Sequence, residues 1–398
     1  MELLKQKMSW GGIAIVLVVL IVFGAAMMGS VLGSKPKDLP VALVQADQGA
    51  SLPTGGTLEV GKMIAEKLTS NPALPFKWEV VDSAEAAEEG LRNREYYGAL
   101  VLPADLSRGL LTLASTGSEP PTVRILANDG LNAQAATVVK QVLGQGMSMA
   151  GSELSKQLLE LAGQAAGGQV PVAAAQALLA PVQVQEASVN PVGANNANGN
   201  APGLLTQIMW VGSLVIAMTL FLANQKALAS GGRSWSVKAV QAAAGLAIAG
   251  LASGFLVWMA SSWYGMELEQ TVDVWLALWL AASTFFLLQS SLLNWLGLPA
   301  MAILVLLMFF SMPVLNMAPE FLSRTTQDWI YSWTPLRFAA GALRETMYFG
   351  GLDGVGSDAV VLWSASAGFL ALLLVSGAKK AKSAPVSGKG TAPAAVAE

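Results

Sequence analysis

Cysteine and histidine are both missing from this chain of 398 residues. Without cysteine there is no disulfide framework, no thiolate nucleophile and no zinc-thiolate or iron–sulfur site. Without histidine there is no imidazole base and no histidine-ligated metal. Charge is also scarce. Charged residues make up 12% of the chain, against about 25% in a soluble domain. The 23 basic and 26 acidic residues leave a net charge of −3, with no basic stripe of the kind nucleic acid requires. No G-x-x-x-x-G-K-[ST] phosphate loop occurs, so the chain carries no such ATPase site of its own. The glycine pairs Gly55–Gly56 and Gly231–Gly232 punctuate loops and do not open helices after strands, as a phosphate cradle would.

What is present is apolar residue, 54% of the chain, and it is concentrated before residue 34 and after about residue 204. The first apolar run, residues 10–32, follows Lys5 and Lys7. As a helix it reaches about 34 Å, enough to cross a hydrocarbon core of about 30 Å. It exceeds a signal-peptide core of about 7–15 residues, so it reads as a retained anchor. Five further spans are expected at residues 204–223, 239–258, 272–293, 298–315 and 359–377. Residues 294–297, with Pro299 opening the next helix, suit a tight hairpin.

The basic residues orient these spans. Lys5, Lys7, Lys226, Arg233, Lys238, Lys379, Lys380, Lys382 and Lys389 fall on one side, accompanied by Glu2 and Glu398. The loop 259–271 on the other side holds Glu267 and Glu269 and no basic residue. Both termini are therefore expected in the cytoplasm. Trp10, Trp210, Trp258, Trp263, Trp275 and Trp295 lie near span ends, where an interfacial belt and helix–helix packing both fit. Gly250 and Gly254 form a G-x-x-x-G, which permits close helix approach; internal packing is the commoner use.

Residues 35–204 carry 11 basic and 16 acidic residues and alternate strand and helix patterns. Strands are expected at 40–46, 76–81, 97–102 and 122–127, and helices at 58–70, 84–93 and 106–113. Asp82 or Ser83 is placed to cap the second helix. The alternation predicts a small α/β unit with a three- to four-stranded sheet. Residues 132–165 and 172–180 read as helices, 182–189 as a returning strand, and 190–203 as a loop rich in Asn, Gly and Pro. A low-complexity stalk over 131–200 is the alternative. Asp47, Asp82, Glu85, Glu88, Glu89, Asp105 and Asp129 form no recognisable catalytic pair, and the spacing of Glu85, Glu88 and Glu89 suits a solvated helix face. No enzyme activity, cofactor or metal site is expected.

Ionisable groups are nearly absent from the spans, whose main polar members are Gln207, Gln289, Asn294 and Asn316. That argues against a proton-driven carboxylate relay. Asp273 sits at a span edge. The most informative stretch is 317–351, amphipathic and interrupted by Pro319 and Pro335. It predicts two short helices at the outer interface, with Arg324, Arg337 and Arg344 balanced by Glu320, Asp328 and Glu345. Pro319, Trp329, Trp333, Pro335, Arg337 and Arg344 are the residues expected to close the outer mouth of a pathway.

One span, an outer α/β domain and five more spans resemble the plan of type 2 ATP-binding-cassette permeases. More narrowly, the chain resembles the YhgE/Pip (phage infection protein) family. Residues 39–51 (LPVALVQADQGAS) are similar to its opening strand and Asp–x–Gly turn. Residues 96–110 (YYGALVLPADLSRGL) are similar to its strand-to-helix element. Residues 190–212, ending MWVG, are similar to its approach into the second span, and residues 335–351 to the outer helix of type 2 permeases. The very large coiled outer domain of long members is lacking.

The resemblance implies a polytopic α-helical protein of a bacterial plasma membrane. It has six transmembrane helices, one plus five, around an extracytoplasmic α/β domain. The units are residues 1–34, 35–203, 204–378 and a cytoplasmic tail, 379–398. It also implies an exporter subunit working as a homodimer or heterodimer with a separate cytoplasmic ATP-binding subunit. Residues 1–9 and 224–238, with Lys226, Arg233 and Lys238, then supply the coupling contacts. A cell-surface interaction or scaffold protein is the alternative function.

Overall fold

A computed structural model describes residues 36–52, 55–165, 172–230, 233–354 and 356–378. The expected first span, the segments 1–9 and 379–398 with their lysines, and the Gly231–Gly232 pair lie outside the described residues.

The N-terminal half is an α/β unit. Its elements are β1 (Leu39–Gln45), β2 (Ala50–Ser51), β3 (Thr57–Leu58), α1 (Val60–Thr69), β4 (Phe76–Val81), α2 (Ala84–Arg92), β5 (Gly98–Leu102), α3 (Leu106–Thr116), β6 (Thr122–Asn128), α4 (Ala133–Ala165), α5 (Val172–Ala177) and β7 (Gln183–Val189). The main sheet has five strands in the order β4-β1-β5-β6-β7, and β2 pairs with β3 in a separate ribbon. β1 runs parallel to β4 and β5, β5 antiparallel to β6, and β6 parallel to β7. The sequence predicts at most four strands beyond the return at 182–189. That return is the fifth, brought parallel to β6 because α4 and α5 form a long crossover.

β5 is buried along its whole length, as the central strand of a sheet covered by helices on both faces should be. The two-residue period divides its neighbours between faces. Val41, Leu43, Leu100, Leu102, Val123 and Ile125 face a core closed by α1, α3 and α4. Ala42, Val44, Ala99, Val101 and Leu126 face α2 through Ala87 and Leu91. Ser83 caps α2, its Oγ accepting from the Ala86 N–H at 3.1 Å.

The C-terminal half is helical: α6 (Ala201–Ala229), α7 (Ser234–Ser262), α8 (Thr271–Leu296), α9 (Ala300–Leu315), α10 (Pro335–Tyr348) and α11 (Ser357–Val375). Among the described residues, four helices are long and apolar enough to cross a membrane: α6, α7, α8, and α11 with its terminal turn to Ala378. α9 has 16 residues and reaches about 24 Å, short of a full crossing, because Pro299 and Asn316 bound it. Conversely α6 and α7 run well past the expected ends at 223 and 239, leaving only residues 230–233 between them.

α8 is the centre of the bundle and packs against α6, α7, α10 and α11. Phe285 and Phe286 are fully buried on it. In hydrocarbon, polar side chains need internal partners, and several on α8 find them on neighbouring helices, while the buried Ser290 hydroxyl and Gln289 Oε1 have none among the described residues. Gln289 Nε2 donates to the Trp210 carbonyl at 3.1 Å, and Ser291 Oγ to the Phe369 carbonyl at 2.8 Å. Thr284 shares a 2.7 Å hydrogen bond with Ser366.

Close approach of α7 to α8 depends on glycine. A Cβ on Gly245 would sit 1.9 Å from the Phe286 ring. Trp275 and Trp279 stack at 5.8 Å and lie over Gly254 and Gly250. Their indole N–H groups donate to the carbonyls of Gly250 and Leu246, each at 2.9 Å. The G-x-x-x-G is thus an internal seat for tryptophans. Trp210 is likewise fully buried, edge-on to Phe285 at 5.0 Å, so it packs between helices and does not belong to an interfacial belt.

Candidate functional site

The two ends of the bundle differ in chemistry. One end carries the α/β unit. There the 190s loop meets the α7–α8 connection: Asn195 Nδ2 donates to the Gly265 carbonyl at 3.0 Å, and the Ala194 N–H to Glu267 Oε2 at 2.7 Å. Asn132 Nδ2 donates to the Asn316 carbonyl at 3.1 Å. The opposite end gathers the α6–α7 connection, the α8–α9 turn and the end of α11, with Trp295 Nε1 donating to the Leu372 carbonyl at 3.0 Å.

At the domain end, residues 316–352 do not lie flat on an interface. After α9, Ala318 and Phe321 enter the core of the α/β unit, and Pro319–Phe321 form a 3₁₀ turn. The chain then turns back through Arg324–Thr326 and a π-helical turn, Gln327–Tyr331. Pro335 starts α10 inside the bundle. Leu336 is fully buried in a cluster with Trp210, Phe285, Leu304 and Leu362. From there α10 rises beside α6, α8 and α11, until Tyr348 reaches Gly130 of the α/β unit. The second expected surface helix is therefore a helix packed within the bundle. The reason is its face of Leu336, Ala339, Ala340 and Leu343, small and apolar enough for close contact with neighbouring helices.

The residues expected to gate split accordingly. Trp329 is 75% exposed and Trp333 56% exposed, on the returning limb. Pro319 and Pro335 bracket that limb. The charges of the segment balance in number, but among the described residues none of them forms an ion pair with another. Glu345 pairs with Arg94 of the α/β unit and also accepts the Gly356 N–H at 2.8 Å. Glu320 accepts the Tyr97 hydroxyl at 2.8 Å. Arg344 donates to the Leu315 carbonyl at 3.2 Å. Arg337 lies over the Tyr331 and Phe338 rings at 4.4 and 4.1 Å, a cation–π arrangement. Asp273 accepts the Leu352 N–H at 3.1 Å and so holds the turn before α11.

Burial pushes the Tyr97 hydroxyl well above its ordinary range, and the Glu320 carboxylate beside it adds to the shift. Burial likewise raises Tyr348. Sequence reasoning did not find Tyr97 or Arg94, because their partners lie more than 220 residues away in the chain.

At the far end, Lys226 and Arg233 are exposed and flank the α6–α7 connection. Lys238 is not with them. It is 5% exposed and turns into the bundle, where its Nζ donates to Asn294 Oδ1. Asn294 Nδ2 donates to Gln241 Oε1 at 3.2 Å, and Asn224 donates to the same oxygen. This carboxamide chain ties α6, α7 and α8 together. Between the two ends, α7, α8 and α11 border a groove of about 750 Å³ lined by Leu246, Trp279, Leu280, Leu287, Trp363 and Leu370. Among the described residues no group of acidic side chains is arranged to hold a metal ion.

No curated protein matches the chain. No solved structure matches it either. A family profile described as ABC-2 family transporter protein matches residues 10–375, which span nearly the whole sequence. A multi-pass membrane protein with a permease-like role accounts for that match and for the long apolar helices. The chain belongs to the ABC-2 family of transporter proteins.

Proposed function

We propose that the chain is the permease subunit of an exporter driven by a separate cytoplasmic ATP-binding subunit. The observation that carries this reading is the division of the bundle. The α/β unit and the returning segment occupy one end, and exposed Lys226 and Arg233 occupy the other. In this reading the α/β unit is extracytoplasmic, and the chain crosses a bacterial plasma membrane six times with both termini inside. The first crossing is residues 10–32. α9, short alone, completes its crossing with the segment that follows it. The units 1–34, 35–203, 204–378 and 379–398 act respectively as anchor, outer domain, permease and tail.

The ATP-binding subunit contacts Lys226 and Arg233. Lys238 holds the helices that present them. The limb bearing Trp329 and Trp333, with α10 behind it, is the outer gate. The apolar groove beside α8 favours a hydrophobic or amphipathic cargo. Two copies acting together, with the YhgE/Pip type as the nearer kinship, complete the proposal.

The test is co-purification from native membranes. Wild-type protein retains a P-loop ATPase, and the double variant Lys226→Glu/Arg233→Glu loses it while keeping its thermal stability. Absence of any retained ATPase with the wild type overturns the proposal. Retention unchanged in the double variant removes Lys226 and Arg233 from the coupling surface.

A further inference from the structure

A second cavity, of about 610 Å³, lies where the 190s loop meets the domain ends of α6 and α7. Its volume falls within the range of about 300–1,000 Å³ typical of ligand sites. Its two halves differ. The upper half is lined by Asn195, Asn196 and Asn198 and by Tyr264. The lower half is apolar, with Leu204, Leu205, Ile208, Leu256 and Met259. No Asp, Glu, Lys or Arg lines it.

The polar half is built. Gly193, Asn195, Ala197, Asn198 and Gly199 all have positive φ, an unusual density of left-handed backbone. Asn196 is 1% exposed and is pinned by donating to the Glu267 carbonyl at 2.9 Å. Asn195 donates through Nδ2 to the Gly265 carbonyl, and among the described residues its amide oxygen accepts no hydrogen bond. The Asn198 side chain and the Tyr264 hydroxyl carry no hydrogen bond among the described residues. The wall therefore offers neutral donors and acceptors side by side. Carboxamides and a phenol pair with hydroxyl groups in both directions. No charged side chain lines the wall, and the Glu267 carboxylate beside Gly193 is taken up by the Ala194 N–H, so an anionic headgroup finds no counter-charge.

The apolar half continues sideways. Leu204, Ile208, Val211 and Val215 follow one another down a single stripe of α6 and are between 43% and 61% exposed. On a membrane-spanning helix such a stripe is a track for an acyl chain. We infer that this cavity binds a membrane lipid with an uncharged, hydroxyl-rich headgroup. The headgroup sits against Asn195, Asn198 and Tyr264, and one chain lies along Leu204 and Ile208. The site is separate from the groove beside α8 and does not depend on how transport is powered.

Native mass spectrometry of the full chain tests this, in tetraethylene glycol monooctyl ether, a detergent without a sugar headgroup. The probes are a monoglucosyl diacylglycerol, phosphatidylglycerol with the same acyl chains, and methyl glucoside. One glucolipid per chain is retained about tenfold better than phosphatidylglycerol, and methyl glucoside is not retained. Asn198→Gly keeps the left-handed backbone and removes the carboxamide; Met259→Trp fills the apolar half. Each lowers glucolipid retention about fivefold or more, with unchanged thermal unfolding confirming the fold. Equal retention of phosphatidylglycerol overturns the proposal, since it marks an unselective surface lipid. Retention of methyl glucoside alone also overturns it, since it marks a free-sugar site. So does wild-type retention in whichever of the two variants folds.

Discussion

Ser107 donates its hydroxyl to Asp47 at 2.5 Å, and in doing so joins the two motifs of the α/β unit that are 60 residues apart. Asp47 also accepts the backbone N–H of Ser107 and that of Gly61, each at 2.9 Å. Ser107 Oγ in turn accepts the Val60 N–H at 2.9 Å. One carboxylate thus serves the first turns of both α1 and α3, where anionic acceptors are favoured. The Asp–x–Gly turn and the strand-to-helix element are two halves of one clasp. The arrangement is structural, with every acceptor oxygen of Asp47 occupied.

Replacing Asp47 with Ala leaves three helix-start donors without this acceptor. Hydrogen bonds to charged groups contribute about 1.5–3 kcal/mol each, with strong overlap inside one network. The expected outcome is a loss of about 2–4 kcal/mol in the α/β unit. Hydrogen exchange across the amides of α1 and α3 during thermal unfolding checks it. Ser107→Ala is expected to cost less, because its backbone N–H still reaches Asp47.

Arg94 and Glu345 join the α/β unit to α10, with side chains 31% and 15% exposed. Residues in direct ionic contact couple by about 0.5–3 kcal/mol. A double-mutant cycle of Arg94→Gln and Glu345→Gln on thermal stability is expected to give a coupling in that range. A coupling near zero means the pair does not fasten the two units.

Tyr97 supplies a pH dependence. Its folded-state ionisation is raised by burial first and by Glu320 second, whereas the unfolded residue ionises near the ordinary value of about 10. Below that pH both states are protonated and the contribution is fully present. Above it the unfolded chain releases a proton that the folded chain keeps, so stability falls as pH rises. A melting temperature that declines above about pH 10 is expected, with a shallower decline in Tyr97→Phe.

Gly245→Ala forces a methyl group into the Phe286 ring and is expected to destabilise the protein by about 1–3 kcal/mol. Phe286→Leu removes the obstruction. The double variant should therefore be more stable than the sum of the two single losses predicts, as measured by thermal unfolding in detergent.

Most of the α/β unit was legible because its strands are short apolar runs with turn residues between them. The expected strand over 76–81 coincides with β4, and Ser83 was readable as a cap. The long helices were legible from hydrophobicity, but their ends were not. α6 and α7 continue into polar sequence because Lys226, Asn224 and Lys238 find solvent or carboxamide partners, which hydropathy does not register. The segment after α9 was misplaced for a different reason. Its amphipathic pattern is the same whether the apolar face meets lipid or other helices, and only Leu336 and Ala339 against Trp210 and Phe285 decide between them. The partners of Glu345 and Glu320 were not legible, because they come from the other half of the chain.

The anchoring of the α/β unit carries a mechanical consequence. Tyr97, Asn132 and Arg94 grip points beside Glu320, Asn316 and Glu345, at both the descending and ascending limbs of the returning segment. Motion of that segment must therefore drag the sheet with it or break these contacts in sequence. Load applied to the sheet travels back along the same lines. A rigid binder clamped on β7 therefore acts as a brake on α10, whose last residue, Tyr348, abuts Gly130 beside Asn190 at the end of that strand.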